Sequence, residues 1–134
     1  MVPNDFVLFN SPSVVLTVDL QHQLLIADWA DEIQLDDWSI VFDLMAQIAF
    51  NNDLDKALGL VQGSRYSDAL AAELYDFQSD YDKLWLSGLK QFAFVAADKE
   101  EIALRAPLSE ELLPKADISW FTDVFEARAW LLKQ

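Results

Sequence analysis

The stretch KALGLVQGSRYSDALAAELYDFQSDYDKLWLSGLKQFAFVAA, residues 56–97, is the part of the chain on which the fold turns. It opens on a short apolar run, Lys56 to Gln62, closed by Gly63: long enough for a buried strand and too short for a helix. Leu70, Leu74, Phe77, Tyr81 and Leu84 then recur at alternating spacings of four and three, the stripe of the longest helix, and Ser67 stands where a cap belongs. Gly88 and Leu89 form the stop, glycine taking the left-handed position while leucine packs back on the last turn. Gln91 to Ala97 is a second buried strand. Two such strands joined by a helix make a crossover unit, which implies parallel pairing.

Working outward toward the N-terminus, Phe6 to Asn10 is a strand closed by Ser11-Pro12-Ser13, where proline removes a backbone donor. Val14, Leu16, Val18 and Leu20 alternate with Val15, Thr17 and Asp19, and Leu24 to Trp29 follows after Gln21-His22-Gln23, which reads as a β-hairpin. Trp38, Val41, Phe42, Met45, Ile48 and Ala49 share one helical face, with Asp36 as N-cap, Leu35 and Ile40 as a hydrophobic staple, and an end near Asn51-Asn52.

Toward the C-terminus, Asp98 with Glu101 has capping-box spacing and opens a short helical piece that Pro107 ends, and Ser109 to Leu113 adds one more turn. Ile118 to Phe121 is the last strand, and Asp123 with Glu126 caps a final helix carrying Val124, Ala127 and Leu131 on one face. The expectation is one α/β domain over residues 1–134. Its single mixed sheet has an N-terminal antiparallel hairpin plus parallel strands and is covered by helices.

Composition narrows the function classes. The 134 residues are 53% hydrophobic and 13% aromatic, ample for a core. Nine Lys and Arg stand against 23 Asp and Glu, a formal charge of -14 that repels phosphate backbones and anionic lipid, so nucleic acid and membrane surfaces are not the expected partners. Without cysteine there is no disulfide, thiolate zinc site or cysteine nucleophile, as suits a reducing cytoplasm. The start MVPNDFVLF lacks the basic and apolar regions of a signal peptide, and no apolar run approaches a membrane span, so a cytoplasmic location is expected.

No catalytic constellation emerges along the chain. The one histidine, His22, falls in the hairpin turn with no base, nucleophile or metal ligand recognisable beside it. Asp28, Asp31, Glu32, Asp36 and Asp37 bunch before the first helix, where capping and solubility account for them and the spacing of a calcium loop is missing. Glu73, Asp76 and Asp80 read as the wet face of the longest helix. The most suggestive segment is Gly63-Ser64-Arg65-Tyr66-Ser67, which joins a parallel strand to a helix start, where amide donors welcome anions. It is not a phosphate loop, since neither nucleotide-binding glycine pattern occurs, and no cofactor is implied. Trp85 lies beside the apolar stripe. Two placements stand open for it, the core or an exposed patch with Tyr81 and Leu89 that would serve a partner.

Ile118-Ser-Trp-Phe-Thr-Asp-Val-Phe-Glu-Ala-Arg-Ala-Trp-Leu131 resembles the closing strand and helix of SpoIIAA-like proteins in the STAS and SEC14-like group. Gly88-Leu-Lys-Gln-Phe-Ala-Phe-Val95 is similar to a strand of that group, as is Leu24 to Trp29 followed by a helix. The resemblance implies a SpoIIAA-like mixed sheet with roles in protein interaction or small-ligand sensing. It also implies that Ser64 or Ser67 stands nearest the phosphorylatable serine of anti-sigma antagonists, although Gln62-Gly-Ser-Arg-Tyr-Ser-Asp68 does not match their Asp-Ser-Ser-Gly turn.

The expected function is therefore a non-enzymatic interaction or regulatory module. It would bind a protein partner or a second copy of itself through Gly63, Ser64, Arg65, Tyr66 and Ser67, with Trp85 as a further contact. The alternative is a small-ligand binder or cryptic enzyme using Asp28, Asp31 and Arg65 around a pocket at the strand ends.

Overall fold

The computed structural model describes residues 5–11, 13–29, 32–33, 35–63, 65–66 and 77–133. Among these the strands are β1 (Asp5–Asn10), β2 (Val14–Asp19), β3 (Leu24–Trp29), β4 (Glu32–Ile33), β5 (Lys56–Leu60), β6 (Arg65–Tyr66), β7 (Gln91–Val95) and β8 (Asp117–Phe121). The helices are α1 (Leu35–Asn51), α2 (Phe77–Leu86), α3 (Lys99–Leu112) and α4 (Val124–Leu132). Six strands form one sheet in the order β1-β2-β3-β5-β7-β8, antiparallel from β1 to β3 and parallel beyond. The expected mixed sheet is present.

β5 lies between two parallel neighbours and is covered on both faces, which is why its sequence reads as a short apolar run rather than an alternation. On one face Leu16, Val18, Leu25 and Phe92 pack with Val41, Phe42 and Met45 of α1 and Leu84 of α2, and Leu112 closes this core from α3. On the other face Leu24, Ile26, Leu58, Ala93 and Val95 meet Ala127 and Leu131 of α4. The stop after α2 is as expected: Gly88 has φ +112°, the Leu89 amide donates to the Leu84 carbonyl at 3.3 Å, and Leu89 is fully buried.

Three expectations change. α1 begins at Leu35, so Asp36 lies inside the first turn instead of capping it. α3 does not end at Pro107 but runs through it to Leu112. Proline lacks only the amide that would bond the Ala103 carbonyl, and both positions face solvent, while buried Leu112 and Leu113 tie the second half of the helix to the core.

Asp80 is buried rather than on a wet face, because Lys83 folds back between it and Asp43 of α1, at 3.6 and 2.8 Å. The Asp43 carboxylate holds the Lys83 ammonium above its ordinary pKa against the opposing effect of burial. Of the two placements open to Trp85 the structure takes the core side: Leu89 is sealed in the core, and Tyr81 and Trp85 pack half-buried against it, leaving no exposed patch of the three. The upstream half of the expected longest helix, with Ser67, Leu70, Glu73, Leu74 and Asp76, falls outside the described residues.

Candidate functional site

The carboxyl ends of β3, β5, β7 and β8 lie on one edge of the sheet, the place where open α/β folds assemble their sites. The turn after β5 leaves through Val61, whose amide donates to the Val95 carbonyl at 3.0 Å, and exposes Gln62 and Gly63. The chain then forms β6, which pairs in parallel with β4, setting Glu32 opposite Arg65 and Ile33 opposite Tyr66. That two-stranded ladder joins the acidic stretch after β3 to the Gly63 turn, a juxtaposition that neither segment announces. Ser64 and Ser67 lie outside the described residues.

The amide at this turn is already occupied. Glu101 of α3 accepts from the Gly63 amide at 2.9 and 3.2 Å through its two carboxylate oxygens, and from the Ala97 amide at 2.7 Å. The Asp98 side chain accepts the Glu101 amide at 2.8 Å, completing a cap, and Arg105 approaches the same carboxylate at 3.5 Å. The donor predicted to welcome an anion receives one from the protein itself. In the sequence Glu101 reads only as half of a capping box. Its second role needed the turn after β5 to arrive beside α3.

Beside this latch is a recess of about 160 Å³ between the strand ends and α3. Val61, Phe94 and Trp120 supply the sheet side, and Leu104, Arg105 and Leu108 the helix side. Phe94 and Trp120 stack at 4.8 Å, and Gly59 on the neighbouring strand makes room for them: a Cβ there would meet the Phe94 ring at 2.8 Å. The Trp120 indole donates to Ser109 Oγ at 3.2 Å, and that hydroxyl donates to the Ala106 carbonyl at 2.8 Å, so the wall is fixed by hydrogen bonds as well as packing. Asp28 borders a separate hollow with Ser11, Val15 and Trp29, and Asp31 lies outside the described residues.

Trp85 borders another recess, about 170 Å³, with Gln78, Asp82 and the Leu113-Pro114-Lys115 corner. Lys90 Nζ lies 3.6 Å from the centre of its ring and donates to the Trp85 carbonyl at 2.9 Å, so a cation already covers this indole.

His22 has a partner that its own turn supplies. Asp19 Oδ2 lies 2.7 Å from His22 Nδ1 and accepts from Arg128 of α4, also at 2.7 Å, while Oδ1 accepts the His22 amide at 3.1 Å. Burial pushes the Asp19 carboxyl up, but the hydrogen bonds from the His22 ring and backbone and from Arg128 outweigh it and hold the group below its ordinary value. The three-residue spacing of Asp19 and His22 was the available signal. Arg128, 109 residues away in sequence, carried none. Among the described residues no group of three or more His, Cys, Asp or Glu is placed to hold a metal ion, and no helix is long and apolar enough to cross a membrane.

No protein-family model matches the chain, and no curated protein matches it. Among solved structures it is similar to an uncharacterized protein of the DUF3478 family with a SpoIIAA-like fold from Shewanella loihica PV-4. The TM-score is 0.62 at 13% sequence identity, over 92% of this chain and 97% of that one. The fold is thus SpoIIAA-like.

Proposed function

We propose that this chain is a non-enzymatic binding or regulatory module that captures a protein partner, a second copy of itself included, through the turn from Gly63 to Ser67. The observation that carries this reading is the Glu101 latch, which satisfies the Gly63 amide internally and leaves Gln62 and Gly63 exposed beside it instead of an empty anion cradle. Its test compares wild type with Ser64→Asp and Arg65→Ala. Partner capture should weaken about tenfold or more while the melting temperature stays nearly unchanged. A parallel loss of folding in both variants would sink it. Self-association is read separately by size-exclusion with light scattering on wild type and Arg65→Ala.

A second reading, a small-ligand binder or cryptic enzyme, draws support from the aromatic-walled recess at the strand ends and the guanidinium of Arg105 on its wall. Saturable thermal stabilisation by a metabolite, abolished by Arg105→Ala, would favour it. A metabolite and metal panel that leaves the melting temperature unmoved counts against it.

A further inference from the structure

The apolar side chains of α3 do not all face the core. Leu112 is buried, yet Leu104 is 82% exposed and Leu108 39% exposed. Glu100, Leu104, Leu108 and Glu111 follow one another at spacings of four, four and three, so they run along one side of α3 with an apolar pair in the middle and a carboxylate at each end. The apolar pair is also the outer lip of the recess whose inner wall is Phe94 stacked on Trp120. An exposed leucine beside a preformed aromatic hollow has the form of a hot-spot pocket, where one bulky side chain is desolvated by its surroundings.

Charge selects what surrounds that side chain. Glu100, Glu110 and Glu111 are exposed on α3 and Lys99 is the one exposed cation of that helix, while Arg105 faces the recess and approaches Glu101 at 3.5 Å. With the formal charge of -14 on the whole chain, an acidic segment would be repelled, a neutral one left unsteered and a basic one drawn inward. We infer that this face of α3 is a docking site for a basic segment of a protein partner, which inserts one bulky apolar side chain between Leu104, Leu108 and Trp120 and sets Lys or Arg against Glu100 and Glu111. The inference rests on the reading of the chain as a protein-binding module and supplies the chemistry of its partner.

The test titrates the full-length ¹⁵N-labelled protein with a synthetic amphipathic peptide that is rich in Lys and carries a single Trp anchor. The amide shifts and the Trp120 indole resonance should move together over Val61 to Gly63 and Leu104 to Leu112. Raising NaCl from about 0.05 M to about 0.5 M should weaken binding several-fold. Changing the anchor to Ala, or the protein to Leu104→Glu with Leu108→Glu, should weaken it about tenfold or more. The exposed pair Glu100→Lys with Glu111→Lys gives the same direction without touching the recess.

Shifts that cluster elsewhere, no binding, or equal binding of a peptide with Glu in place of Lys would each overturn the site. A partner captured equally by wild type and the leucine double variant overturns it too, while leaving the module reading standing. The module reading fails by itself if the turn variants lose nothing.

Discussion

Asp19 shows how one residue can join distant parts of the chain. Its side chain is 2% exposed at the end of β2, and its oxygens serve both the turn to β3 and Arg128 on the far helix. Because its folded pKa is lowered, its contribution to stability is present above the unfolded value and is lost as pH falls through the folded one, from about pH 4 downward. Asp19→Asn should therefore destabilise by about 1.5–3 kcal/mol at neutral pH, with the gap to wild type narrowing in acid. Urea titrations at pH 7 and pH 3 that show the same gap would contradict the ionic role. Gly59 is the second decisive residue. A methyl group there overlaps the Phe94 ring at 2.8 Å, so Gly59→Ala should lower the urea midpoint by about 1–3 kcal/mol equivalent at constant m. The near-ultraviolet signal of Trp120 should also change.

The helices were legible to different degrees, and the reasons are local. Asp98 and Asp123 cap α3 and α4 as their spacing indicates, because a cap is a contact within three residues and is written in the sequence. Asp123 bonds the Phe125 amide at 2.9 Å rather than taking part in a full capping box. Pro107 misled because a proline rule counts the lost amide and the ring, whereas α3 is also held by Ser109, Leu112 and Leu113 against the rest of the molecule. Pro107→Ala restores a donor to the Ala103 carbonyl. It should raise stability by about 1–3 kcal/mol, and a melting temperature that falls instead would mean the ring itself packs usefully. Glu101 works between elements. Replacing it with Ala should speed hydrogen exchange at the Gly63 and Ala97 amides by about tenfold or more while amides in β5 and β7 stay protected.

At the scale of the molecule the excess of acidic groups dominates. With a charge of -14, self-repulsion opposes the compact state, and screening relieves it. Raising NaCl to about 0.5 M should increase stability on the order of 1 kcal/mol, read as a melting temperature higher by a few degrees. A melting temperature independent of salt would show that ion pairs such as Lys83 with Asp43 offset the repulsion locally. The same charge explains why the recess beside α3 suits a basic segment, since steering acts over the whole surface while the anchor acts at one point.

By itself the sequence determined the alternation of strands and helices, the antiparallel start, the parallel remainder and the caps of α3 and α4. Each depends on spacing within a dozen residues or on the length of a connection. Only the tertiary structure decided that Glu101 closes the Gly63 turn, that the backbone at Glu32 pairs with that at Arg65, that Asp19 holds Arg128, and that Leu104 and Leu108 border a hollow floored by Phe94 and Trp120. Those pairs lie far apart along the chain, and what brings them together is the stacking order β1-β2-β3-β5-β7-β8 with helices laid over it. Periodicity sets which face of an element is buried, but not which neighbour it meets there.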